Sequence, residues 1–293
     1  MQHLDVRAIS RRLLREPPLR EALAELARGE GSTLGARALE PLITGRLCER
    51  TPDGPRLTRL GRGIAYHLSE LRIQIEEGGA KQYVSRLDIR SDSRILDVGC
   101  GAGQSLVALS EQRPALTAGI DFDPVALALM AAVRDVEQLP TLFAVRANAE
   151  RLPFADGSFD RIICRSVLMH VRVLPTLAEI SRVCTEGGLV YLHLTDFWFY
   201  WRKLLRARWE RGGVPFALLN GLLLQTLGRQ LRMRATRTMS YQTVGSVRRT
   251  LMRYGFEILE VERHQQGVMG ERHRQPKILA RRRAASPSRG AEA

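Results

Sequence analysis

The stretch Arg94–Ser105, "RILDVGCGAGQS", constrains the fold more than any other part of the chain. A short apolar run leads into Gly99, Gly101 and Gly103 at alternate positions. Residues without Cβ let the backbone turn sharply and let a ligand come close to it. Asp97 lies between Leu96 and Val98, so its carboxylate enters an otherwise apolar strand. A group placed there wants a partner, because burying an unpaired charge is costly. Strand-to-helix turns of this kind serve many nucleotides, and the dinucleotide fingerprint needs its third glycine three places after the second. Here Gly101 is followed by Ala102, Gly103 and Gln104, which disfavours a nicotinamide cofactor.

From Ser91 onward strand-like and helix-like stretches alternate. The pattern predicts strands over Arg94–Val98, Leu116–Asp121, Thr141–Ala147, Asp160–Cys164 and Gly188–Leu194. Between them lie helical stretches such as "DPVALALMAAVRD", with Pro124 suited to a first turn. Such alternation implies a parallel sheet with helices on both faces. It stops after Asp196 and resumes near residue 241 with a helix, a glycine stop, a strand and a last strand in "PKILARRR". Residues 17–75 predict a small helical module with a hairpin around Pro52-Asp53-Gly54 and a following helix. That order resembles a winged helix-turn-helix domain. Its recognition segment, "LGARALEPLITG", carries one Arg and one Glu, so dimerisation or pocket support is favoured over nucleic-acid binding.

The chain of 293 residues has a formal net charge of +14, and the excess is local. Residues 1–196 hold 25 basic and 25 acidic side chains, whereas residues 197–283 hold 19 basic and 5 acidic ones. Such a bias asks for an anionic partner, an acidic substrate or a membrane surface. Within it, "FWFYWRKLLRARWERGG" sets Trp198, Trp201, Leu205 and Trp209 near helical spacing. The segment reads as a helical lid, or as an interfacial helix pair at the surface of an anionic membrane. No run of 18 apolar residues occurs, so a spanning helix is not expected. Cys48, Cys100, Cys164 and Cys184 form no CxxC pair, which disfavours a metal site or a disulfide framework. A cytoplasmic location is expected, either free or peripheral on the inner face of the membrane.

The pattern Asp97-x-Gly99-x-Gly101-x-Gly103 resembles the first motif of the class I S-adenosylmethionine-dependent methyltransferases. "GIDFDP", "RANAERLPFADGSFDRIICRSVLMHV" and "LAEISRVCTEGGLVYL" then follow in that family's order. The resemblance implies an α/β fold: a doubly wound, mostly parallel seven-stranded, Rossmann-like sheet, here with a small N-terminal winged-helix-like domain. It divides the chain into a module at 1–80, a cofactor-binding core at 81–196, the basic insertion at 197–240, the end of the sheet at 241–283, and a disordered tail at 284–293. The implied cofactor is S-adenosyl-L-methionine. Asp97 would hold its ammonium end, and Gly99, Gly101 and Gly103 would let it approach. Asp121 would take the ribose hydroxyls and Phe122 would lie against adenine. Asn148, where relatives often carry Asp, and the Ala149 amide would bind the adenine edge. Arg165 and Ser166 would face the methionine half.

Methyl transfer mainly requires alignment, and a general base only where the acceptor is a hydroxyl. His170, His193 and Asp196 are the candidates for that base. The acceptor is expected to be a small or lipid-like molecule. The alternative is a nucleic-acid-linked methyltransferase or a cofactor-sensing regulator. The chain lacks the "DPPY" or "NPPY" motif of many base-amine methyltransferases; its corresponding segment is "CRSV".

Overall fold

The computed structural model describes residues 5–29, 39–73, 80–206, 213–231, 239–262 and 275–284. The chain opens with helices α1 (Val6–Arg15), α2 (Pro17–Arg28) and α3 (Glu40–Thr44). A hairpin of β1 (Cys48–Thr51) and β2 (Gly54–Leu57) follows, then α4 (Arg59–Leu71) and α5 (Lys81–Val84). The alternating part comprises β3 (Arg94–Val98), α6 (Gln104–Ser110), β4 (Leu116–Asp121), α7 (Pro124–Val136), β5 (Leu142–Arg146), β6 (Phe159–Arg165), α8 (Val173–Val183) and β7 (Cys184–His193). Then come α9 (Phe197–Arg206), α10 (Val214–Leu227), α11 (Val244–Arg253), β8 (Phe256–Glu262) and β9 (Lys277–Arg282).

The larger sheet has seven strands in the order β5-β4-β3-β6-β7-β9-β8. Strand pairs β4–β5, β3–β6 and β6–β7 are parallel. Strand β9 runs antiparallel to both β7 and β8. The doubly wound, mostly parallel sheet expected from the sequence is present. Strand β7 starts four residues before the expected Gly188, because Cys184 already pairs with Phe159 ahead of the register shift.

Two compact units are distinguished. The first joins Met1–Val84 to Cys100–Arg146. Its apolar core runs through Leu13, Leu23, Leu42, Leu47 and Ile64 to Ala102, Val107, Leu129 and Val133, so the N-terminal helices share one core with α6 and α7. Helix α2 begins at Pro17 and Pro18 and ends at Gly29 in the left-handed region, as its flanking residues predict. Helix α1 was not expected. Four arginines in ten residues obscure its pattern, yet Ile9 and Leu13 are buried, and Arg7 and Arg11 reach Asp135 of α7. Of the proposed recognition segment, residues 34–38 lie outside the described residues, and α3 covers only five residues.

The second unit joins Ser85–Gly99 to Ala147–Ala293. Helices α9 and α10 form a small core of their own, with Tyr200, Val214 and Ala217 packed with Tyr241 and Met169. Asn220 ties α10 to later parts of the chain: it accepts from the Leu231 amide at 2.6 Å and donates to the Met239 carbonyl at 3.1 Å. Trp209, the side chain of Leu205 and the tail from 285 onward lie outside the described residues. Among the described residues no helix is long and apolar enough to cross a membrane, and no cluster suits a metal ion.

Candidate functional site

In the first unit the glycine turn and the end of β4 make one corner. The Cys100 amide donates to the Ile120 carbonyl at 2.9 Å, which ties the turn to β4. Asp121 then accepts from two backbone amides: Oδ2 from Gly101 and Oδ1 from Asp123, both at 2.9 Å. A carboxylate has about four lone-pair positions, so each oxygen keeps capacity for a ligand. Asp123 caps α7 by accepting from the Val125 amide. Phe122 is exposed, with the Arg146 guanidinium 5.3 Å from its ring centroid. Gly103 sits at φ +85°, and a Cβ there would lie 2.7 Å from Met130. That glycine serves helix packing.

Two side chains that carry no signal in the sequence flank Gly101. A Cβ on Gly101 would lie 3.3 Å from the Gln104 carboxamide and 3.6 Å from His67 Nδ1. Gln104 Oε1 and His67 Nδ1 are buried atoms with no hydrogen-bond partner among the described residues. Burial pushes the His67 imidazole below its usual pKa, against the opposing pull of Asp123, Asp121 and Glu70. His67 comes from α4, far upstream of the glycines, where nothing in the sequence distinguishes it from a helix-face histidine.

In the second unit Asp97 lies in β3 opposite Ile163 and is buried. Burial, with the nearby Asp97 charge, raises the Cys164 thiol far above its usual range, so that cysteine is inert. Gly99 sits at φ +77°, and a Cβ there would meet Val167 Cγ2 at 2.1 Å. Asn148 is exposed; its side-chain oxygen accepts from the Glu150 amide at 2.9 Å, while Ala149 beside it is buried. Ser166 holds a left-handed backbone at φ +58°. Its amide donates to the His193 carbonyl, and its Oγ lies 3.3 Å from His193 Nδ1.

Burial, with the charges of Arg165 and Lys277, pushes the His193 imidazole down to about 3. At neutral pH it is therefore an uncharged hydrogen-bonding group and a weak base. His170 is exposed on the turn after β6, its amide donating to the Val167 carbonyl at 2.7 Å. Asp196 accepts from the Phe199 amide at 3.0 Å at the start of α9.

The donor set fits an adenosyl cofactor. An anchored carboxylate with spare acceptor capacity suits a ribose diol, and the exposed Phe122 offers a face for a base. Residues 96–192 match the model of a methyltransferase domain. This stretch of the chain is a methyltransferase domain.

An uncharacterized methyltransferase of Synechocystis is 32% identical to this chain over 148 residues, 48% of this chain and 66% of that protein. A demethylmenaquinone methyltransferase of Deinococcus radiodurans is 32% identical over 124 residues, 42% of this chain and 51% of its own. A phthiotriol/phenolphthiotriol dimycocerosates methyltransferase of Mycobacterium leprae is 38% identical over 107 residues, 36% of this chain and 38% of its own. The chain spans less than two thirds of the length of these curated relatives.

Solved structures share the fold. An S-adenosylmethionine-dependent methyltransferase from Methanosarcina mazei has a TM-score of 0.50 at 22% identity, over 67% of this chain and 95% of that one. Magnesium protoporphyrin IX methyltransferase from Synechocystis, solved with bound S-adenosylhomocysteine, has a TM-score of 0.50 at 15% identity, over 78% of this chain and 89% of that one.

Proposed function

We propose that the chain transfers the methyl group of S-adenosylmethionine to a small lipophilic molecule. The observation that carries the transfer is Asp121, fixed at the end of β4 by the Gly101 and Asp123 amides with acceptor capacity left over. The cofactor, when bound, supplies a methyl carbon activated by a sulfonium. The protein's part is to orient the acceptor and keep water out. Asp97 takes the ammonium end, Phe122 covers adenine, and Asn148 with the Ala149 amide contacts the adenine edge. Arg165 faces a carboxylate, since a guanidinium would be repelled by the sulfonium. If the acceptor is a hydroxyl, His170 is the base; His193 holds its neighbours through hydrogen bonds, because its imidazole is too weak a base.

Two observations support a lipophilic acceptor. Relatives are named for demethylmenaquinone and for phthiotriol/phenolphthiotriol dimycocerosates. Helix α10 exposes Leu219, Leu222 and Leu227, and α9 exposes Trp198 and Trp201. In this reading α9 and α10 rest on an anionic membrane surface, and the N-terminal helices support the cofactor pocket.

Isotopically labelled S-adenosylmethionine, incubated with the chain and a lipid extract, should place label in a solvent-extractable product. Label found only in polar metabolites or nucleic acid would overturn the lipophilic part. Absence of calorimetric heat with S-adenosylhomocysteine would overturn the whole reading. Flotation with phosphatidylglycerol vesicles should show binding that weakens with salt; none would remove the membrane surface.

A further inference from the structure

Two buried polar atoms on two separate helices, neither with a hydrogen-bond partner among the described residues, lie beside the same glycine. His67 Nδ1 on α4 and Gln104 Oε1 at the start of α6 lie 3.6 Å and 3.3 Å from where a Cβ on Gly101 would stand. Gln104 is more than nine-tenths buried. An unsatisfied buried acceptor costs stability, and folded chains rarely keep one without a use. Two of the seven such side-chain atoms among the described residues lie here, side by side, and the absence of a Cβ on Gly101 is what lets both side chains come this close to the turn. The same glycine's amide donates to Asp121, and the carboxylates of Asp121 and Asp123 act on His67. The niche therefore adjoins the carboxylate that the cofactor reading gives to the ribose.

We propose that His67 and Gln104 are cofactor-binding residues, accepting hydrogen bonds from the ribose hydroxyls beside Asp121. A vicinal diol offers two O–H donors, and these two atoms with the remaining lone pairs of Asp121 supply the acceptors. His67 lies outside the stretch 96–192 that matches the domain model. The N-terminal helices would thus complete the cofactor site, which goes beyond supporting it. This inference rests on the cofactor reading above.

The test is a binding cycle by calorimetry on the full chain. The probes are S-adenosylhomocysteine and its 2′-deoxy and 3′-deoxy forms. The proteins are wild type, His67→Ala, Gln104→Ala and the double variant. Wild type should bind at least one deoxy compound about tenfold more weakly than the parent. The double variant should bind the parent about tenfold or more weaker than wild type does, and should discriminate less than wild type, with only the Asp121 share left. Parent affinity and discrimination both unchanged in the double variant would overturn the assignment while leaving the cofactor reading intact. A wild type that binds none of the three compounds would overturn both. Should an alanine variant fail to fold, as judged by melting without ligand, His67→Gln is read in its place. It keeps a polar group of different reach and should lie between wild type and full loss; wild-type discrimination in it counts against the assignment.

Discussion

Gly99 and Gly101 stand two residues apart on one turn, and both take a left-handed backbone, yet they answer to different demands. A Cβ on Gly99 would collide with Val167 at 2.1 Å, inside the protein's own packing. The atoms nearest a Cβ on Gly101 would be the ends of two polar side chains, at 3.3 Å and beyond. The surroundings differ in the same sense. Around Gly101 are carboxylates and unfilled acceptors. Around Val167 and Ser166 are Arg165 and a histidine held uncharged. The turn is thus set by close side-chain packing at Gly99, and at Gly101 by the polar ends of Gln104 and His67.

The sharpest way to break this comparison is Gly99→Ala. Left-handed strain and the Val167 contact together should lower stability by about 3 kcal/mol in chemical denaturation. Adding Val167→Ala should restore only the packing share, since the backbone strain stays. Gly101→Ala should cost no more than about 1–2 kcal/mol of stability, with its larger effect on S-adenosylhomocysteine affinity. Equal stability losses at the two glycines would end the distinction.

Asp121→Ala should weaken S-adenosylhomocysteine binding about a hundredfold, close to 2.7 kcal/mol. It should also lower ligand-free stability by about 1 kcal/mol, because two amides lose their acceptor. The opposite side is read by pH. Free histidine titrates near 6.5 and folded His193 near 3. Between those values the unfolded chain takes up a proton that the folded chain refuses, so stability falls as pH drops through that window. Urea midpoints should show a slope steeper by up to about 1.4 kcal/mol per pH unit than in His193→Gln. Parallel slopes would mean that His193 is accessible and free to act as a base. The smallest effect belongs to Arg146→Ala, where loss of the guanidinium over Phe122 should weaken cofactor binding about twofold.

Much of the fold could be read from the chain because its signals are local. Strands β3 and β4 begin and end where apolar run and flanking residues place them, and Pro124 and Gly255 mark a helix start and a stop. Helix α1 escaped because its two buried apolar residues are outnumbered by arginines whose partner, Asp135, is remote in sequence. The site divides in the same way. Asp97, the glycines and Asp121 carry a spacing. His67 and Gln104 carry none, since their meaning comes from what they lack and what they face.

The sequence by itself determined the alternation of strands and helices, the glycine turn and the acidic residue that ends β4, because each is set by neighbours along the chain. Only the tertiary structure decided which glycine packs against an apolar side chain and which against polar ones, that His193 is kept uncharged, and that an upstream helix brings to the turn an imidazole nitrogen with no partner among the described residues. Those properties depend on burial and on groups remote in sequence, and a linear pattern holds no record of the distances between them.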